Sequence, residues 1–164
     1  MSVLKSKRGK SKAEFVNVAH QIYVETLGFL SRLSARYSRI LTQTTAELAA
    51  AVVDNAVAAN TLLPTDEVRY NERKAYLLRS RGALAALDYH MARVYEVLMM
   101  NPEGAFSTSS GASVKGDKAC ARLDKMAQSL GEKIDEEGKL LSGVLKSDRQ
   151  VLLKNKTKGL GASP

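Results

Sequence analysis

The side chains best placed to act on a partner are arginines and lysines, set where they can neutralise phosphate. Arg32, Arg36 and Arg39 recur at steps of four and three, which lines one helical face, with Tyr37 beside them for stacking on a base. Arg69, Arg73 and Lys74 form a second cluster just past Pro64 and Thr65. The chain opens MSVLKSKRGKSK, holding Lys5, Lys7, Arg8, Lys10 and Lys12 with no acid, and Lys154, Lys156 and Lys158 stand near its other end. Cations so arranged release the counterions of a nucleic acid and bind it without reading its sequence.

Candidates for catalysis are fewer. His20 and His90 are the only histidines, and neither belongs to a Glu-x-x-His or His-Glu-x-x-His pattern of the kind that holds metals in helical bundles. Asp88 precedes His90 by two positions, which points their side chains apart on a helix. Gly104, Gly111 and Gly116 sit in a loop without the Gly-Lys-Ser/Thr ending of a phosphate-binding loop. The single Cys120 excludes an internal disulfide framework and a cysteine-cluster zinc site. The reading is therefore non-enzymatic, with no catalytic, cofactor or metal site assigned. The acids Asp135, Glu136 and Glu137 read as a solvated face or as a dock for a basic tail.

The elements that position these residues follow from composition and spacing. The 164 residues are rich in Ala, Leu, Lys, Arg and Glu, with three Pro and no Trp, a composition that favours helices in one domain. No apolar run reaches the roughly 18 residues of a membrane span, and no apolar stretch of signal-peptide type follows the basic start. A soluble cytoplasmic chain is expected. Its net charge of +8 is uneven, because residues 1–12 carry +5, residues 146–164 carry +4 and the body between them is close to neutral.

Residues 13–33 place Phe15, Val18, Ala19, Ile22, Phe29, Leu30 and Leu33 at steps of three and four, predicting a first helix capped by Ser11. A break near Ser34 leads to a second helix over 36–62, with Tyr37, Ile40, Leu41, Thr44, Leu48, Val52, Asn55 and Ala59 facing inward. The short break predicts an antiparallel hairpin, with one kinked helix as the competing possibility. Pro64 ends this helix and Thr65 can cap the third, which runs to about Met99 on a line of Val68, Ala75, Leu78, Gly82, Leu84, Ala85, Leu87, Met91, Val94, Tyr95 and Leu98. The Gly- and Ser-rich NPEGAFSTSSGASVKGD is a long connection, and a fourth helix follows over 117–146.

The expected fold is all-α, an antiparallel up-down-up-down four-helix bundle over 13–146, with a basic arm at 1–12 and a basic tail at 147–164, both termini disordered. That topology gathers the arm, the tail and Arg69, Arg73 and Lys74 at one end, and Arg32, Arg36 and Arg39 at the other. Asn55, on the second helix, reads either as an ordinary hydrogen-bonding amide or as a buried residue that fixes register.

The stretches LSARYSRILTQTTAELAAAVVDNAVAAN and ERKAYLLRSRGALAALDYHMARVYEVL resemble the Avd-like four-helix-bundle accessory proteins of diversity-generating retroelements, relatives of the proteins encoded in ribosomal-RNA intervening sequences. The resemblance covers about 36–99 and rests on an Arg-Tyr pair, a spaced Leu, an Asn, an Ala-Asn and a long Leu- and Asp-bearing helix. It implies a basic, barrel-like pentamer partnered with a reverse transcriptase and its template RNA. It carries over Arg36, Tyr37, Asn55, Asn60, Arg73 and Arg79. The extended basic arm, the long third connection, the basic tail and the slightly acidic body depart from that pattern.

The expected function is that of an oligomeric RNA-binding, and by the same chemistry DNA-binding, accessory subunit that scaffolds a retroelement reverse transcriptase. The alternative is a phage or mobile-element adaptor that grips a protein partner and binds no nucleic acid. A bundle enzyme using His20 or His90 is the third class.

Overall fold

Apolar residues at steps of three and four wind the chain into four long helices in the computed structural model, which describes residues 13–107 and 114–160. They are α1 (Glu14–Leu30), α2 (Ala35–Thr61), α3 (Glu67–Met99) and α4 (Gly116–Leu160), with a single 3-10 turn at Gly104–Phe106 before α4. Among the described residues there is no strand. Consecutive helices pack as neighbours and α4 closes the ring against α1. The architecture is the expected all-α four-helix bundle.

The hairpin reading of the first break holds. Ser31 and Arg32 close the end of α1 through backbone bonds to Leu27 and Phe29, and Ser34 stands in extended conformation at the N-cap of α2. Ser11, the expected cap of α1, lies outside the described residues; α1 begins at Glu14 with Ala13 in the cap position.

The cap of α3 is Asp66 and not Thr65. Its Oδ1 accepts the Arg69 backbone N–H at 2.9 Å, and the Thr65 hydroxyl donates to its Oδ2 at 3.1 Å. Those bonds favour the carboxylate, with the Arg69 amide acting most strongly, and hold the Asp66 carboxyl below its ordinary value of 3.8. Asp66→Ala is therefore expected to lower the melting temperature at pH 7. The difference should vanish as acidification protonates the native carboxylate, because a depressed native pKa stabilises only above that pKa. Thermal denaturation at pH 7 and pH 2 checks this.

Helix lengths decide which elements meet. At about 1.5 Å per residue, α1 spans roughly 26 Å, α3 about 50 Å and α4 about 68 Å. The short α1 contributes Phe15, Val18, Ala19, Ile22 and Phe29 to the core, and α2 offers the small Ala49, Ala56 and Ala59 with Val52. Small side chains bring α2 close to α3, so that the Ser80 hydroxyl donates to the Val52 carbonyl at 2.9 Å. Beyond α1, the long helices continue to pair. Asp148 of α4 meets Arg73 of α3, and the Asn155 side-chain amide donates to the Thr65 carbonyl at 3.3 Å.

Three sequence expectations give way here. α4 does not stop near 146; it runs to Leu160, so the basic segment from 147 continues as helix, packed on the α2–α3 end through Asp148 and Asn155. On α3, the C-terminal half of the expected line is buried, at Leu84, Leu87, Met91, Val94 and Leu98, but Val68 and Leu78 are 68% and 46% exposed and Gly82 and Ala85 are also exposed. The core positions of that first half belong to Arg73, Leu77 and Ser80. Two of these are polar residues satisfied by buried bonds, which reverses the apparent phase of the pattern. On α2, Ile40 and Thr44 face outward while Thr45, Ala49, Val52, Ala56 and Ala59 face inward, because alanines on every side of this helix blur its periodicity.

Candidate nucleic-acid interface

The turn between α1 and α2, the C-terminus of α3 and the N-terminus of α4 meet at one pole. Arg36 and Arg39 stand exposed on the first turns of α2, whose first turn has no acid. Their charges add to the positive end of the helix dipole instead of opposing it, an arrangement that costs the helix stability and strengthens the field offered to an anion. Arg36 lies 6.0 Å from the Tyr37 ring.

Arg32 does not share a helical face with Arg36 and Arg39, because the chain turns between Leu30 and Ala35; it is half-buried, donates to the Ala105 carbonyl at 3.4 Å and stacks 4.4 Å from the centre of the Phe106 ring. Helix α4 brings its own cations to this pole. Arg122 lies 5.8 Å from the same ring, and Lys118 and Lys125 are exposed one turn to either side of it. Sequence reasoning missed these three, although Lys118, Arg122 and Lys125 repeat the steps of four and three seen in Arg32, Arg36 and Arg39. The Gly- and Ser-rich connection ahead of them hid that they return to the same place.

The opposite pole joins the α2–α3 turn to the last turns of α4. Lys74 is exposed, 6.0 Å from the Tyr70 ring, and Arg69 is exposed but partly neutralised by Asp66, with Nε 3.5 Å from Oδ2. Lys146, Arg149 and Lys154 are exposed on α4, and the same helix carries the backbone of Lys156 and Lys158. Lys5, Lys7, Arg8, Lys10 and Lys12 lie outside the described residues.

Arg73 does not belong to this surface. Its guanidinium is buried, with Nε 2.6 Å from the Asp148 carboxylate and one terminal nitrogen donating to the carbonyls of Ala59 at 2.5 Å and Leu62 at 2.8 Å. It closes the C-terminus of α2 onto α3 and α4, satisfying carbonyls that the helix end leaves without partners. Asn55 likewise serves its own helix, its side-chain amide donating to the Ala51 carbonyl at 2.7 Å, and Asn60 is exposed. Arg79 is exposed, 5.5 Å from the Tyr76 ring.

Three ion pairs form among the described residues, Arg69–Asp66, Arg73–Asp148 and Lys133–Glu25. None of Arg36, Arg39, Lys118, Arg122 or Lys125 pairs with a described carboxylate. His20 is exposed on α1 and His90 half-buried on α3. No group of three or more His, Cys, Asp or Glu that could hold a metal occurs among the described residues, and none of their helices is long and apolar enough to cross a membrane.

Glu137 departs furthest from the sequence reading. It is fully buried in the core line of α4, between Ile134 and Leu141, and neither carboxyl oxygen has a hydrogen-bond partner among the described residues. Burial, with the neighbouring Glu136 charge adding to it, pushes its carboxyl up to about 8.

Fold and surface together define an all-α four-helix bundle with cationic poles. Comparison with known proteins adds no relative: no family model, curated protein or solved structure matches the chain.

Proposed function

We propose that the protein is a non-catalytic, oligomeric nucleic-acid-binding subunit that acts in the cytoplasm and scaffolds RNA for a retroelement reverse transcriptase. The observation that carries the nucleic-acid part is the set of cations at the α1–α2 pole without acid partners among the described residues, Arg36, Arg39, Lys118, Arg122 and Lys125, on two separate helices. An exposed cluster of like charge is held against its own repulsion and the local helix dipole, and a polyanion relieves both costs. The second pole adds Lys74, Lys146, Arg149 and Lys154, so a strand can be held at both ends of the rod. The reverse transcriptase as partner rests on the resemblance of residues 36–99.

Self-association is supported by apolar side chains that α3 leaves exposed among its charged ones. Val68, Leu78 and Tyr89 are exposed on the side away from the core, as are Ala85 and Ala92. Exposed apolar side chains favour burial against a partner, and a second copy of the chain is the occupant that the oligomeric reading supplies.

Replacement of both Arg36 and Arg39 by alanine tests the interface. For every phosphate that the variant no longer neutralises, the slope of log affinity against log salt should become shallower by about 0.7 on a single strand. Binding with an unchanged slope would remove this pole from the interface, and a protein that binds an acidic partner but no nucleic acid would be the adaptor.

A further inference from the structure

Between α1 and α4, at the α1–α2 pole, lies a groove of about 750 Å³. Its apolar lining is Val24, Phe29 and Met126, with Gly28 leaving the wall open. Its charged lining is Arg32, Arg122 and Lys125, and Phe106 stands at the edge under both guanidinium groups.

Two features of this groove lack an internal explanation. Arg32 and Arg122 are held against one ring with no described carboxylate paired to either, and Lys125 makes no ion pair with a described residue. The carboxylate lining the groove, Glu25, is already engaged by Lys133 at 2.8 Å and receives the Ser129 hydroxyl at 3.4 Å. The donors of Arg32 are also underused: among the described residues its side chain bonds at 3.4 Å to Ala105, and its Nε is buried without a partner. Stacking on Phe106 occupies a face of each guanidinium and leaves in-plane N–H groups to meet an anion.

From this juxtaposition we infer that the groove holds one unpaired nucleotide of a single-stranded nucleic acid, its phosphate on Arg32, Arg122 and Lys125 and its base on Val24 and Met126. The inference rests on the nucleic-acid reading above and specifies which form of nucleic acid is preferred. The volume lies within the range of pockets for small ligands, and the pairing of apolar floor with cationic rim matches the two halves of a nucleotide. A duplex, whose bases are stacked inward, cannot offer that combination.

The test uses the full-length protein, a labelled unstructured 15-mer RNA and the same strand annealed to its complement. Arg122→Ala and Val24→Glu alter exposed positions and should leave helicity intact. Each is expected to weaken single-strand binding about tenfold or more; because Arg122 also belongs to the wider interface, its loss weakens duplex binding too, and the groove is read from the larger fall in single-strand binding. In parallel, AMP should shift the amide resonances of Val24, Gly28 and Ser129 more strongly than adenosine or inorganic phosphate.

RNA binding that both variants retain at full strength, with no AMP-induced shifts, would overturn the groove while leaving the wider reading intact. Absence of all RNA binding would overturn the wider reading, and AMP shifts would then still decide for or against a nucleotide pocket. Shifts at these amides produced by an acidic amphipathic peptide and not by AMP would overturn the inference in favour of a protein partner.

Discussion

Raising the pH from 4 to 9 is expected to destabilise the protein through Glu137, and Glu137→Leu is expected to abolish that loss. The carboxyl prefers its proton in the folded state, where it titrates at about 8 against an ordinary 4.5. Below pH 4.5 it is protonated in both states and costs nothing in ionisation. As the pH rises, the unfolded chain releases the proton first and is favoured increasingly until the native carboxyl also ionises near 8. The full difference corresponds to roughly 5 kcal/mol, a large share of a typical domain's stability. Neighbours such as Leu130, Ile134 and Leu141 make leucine a compatible replacement in this line. Urea unfolding at pH 4, 7 and 9 reads the effect, and parallel pH profiles for wild type and Glu137→Leu would contradict it.

The second large effect concerns Arg73. Arg73→Leu leaves Asp148 buried without its cation and removes two donors from the carbonyls at the end of α2. Breaking one side of a buried pair costs about 3–5 kcal/mol, which for a chain of this length lowers the melting temperature by about 10 °C. Arg73→Leu combined with Asp148→Leu should recover the part of the loss that comes from the unpaired Asp148, because apolar replacement of a whole buried pair is often close to neutral, and leave the part that comes from the Ala59 and Leu62 carbonyls. A single variant that melts within two or three degrees of wild type, as about expected for an exposed phosphate-binding arginine, would return Arg73 to the surface role its sequence context suggests.

These two residues also show where the sequence was legible and where it was not. Phe15, Val18, Ile22 and Phe29 on α1, and Leu123, Leu130 and Leu141 on α4, have apolar side chains at helical spacing and clear polar neighbours, and both helices were readable from that alone. Arg73, Ser80 and Glu137 occupy core positions with polar side chains. A rule that buries apolar residues must misplace them, and it placed Val68 and Leu78 inside in their stead. What distinguishes Arg73 from Lys74 is tertiary: carbonyls from α2 and a carboxylate 75 positions along the chain.

The candidate interface was half legible for a similar reason. Arg36 and Arg39 follow from local spacing, as do Lys74 and Lys154. That Arg122 shares a ring with Arg32 depends on how the connection after Met99 returns the chain. The polypeptide contains the repeated spacing, but only the closed bundle makes it one surface. Extension of α4 to Leu160 was equally hidden, since Lys, Gly and Ser near the end resemble a tail, whereas Val151 and Leu152 continue the helix and Asn155 docks it on the α2–α3 turn.

The most direct test of the nucleic-acid role is the affinity of the full-length protein for an unstructured single-stranded RNA, measured by fluorescence anisotropy between about 50 and 200 mM salt. Engagement of four or more phosphates by the two poles predicts binding that weakens steeply, with a log-log slope of about −3 or beyond. No binding at the lowest salt, or an affinity indifferent to salt, would contradict the account.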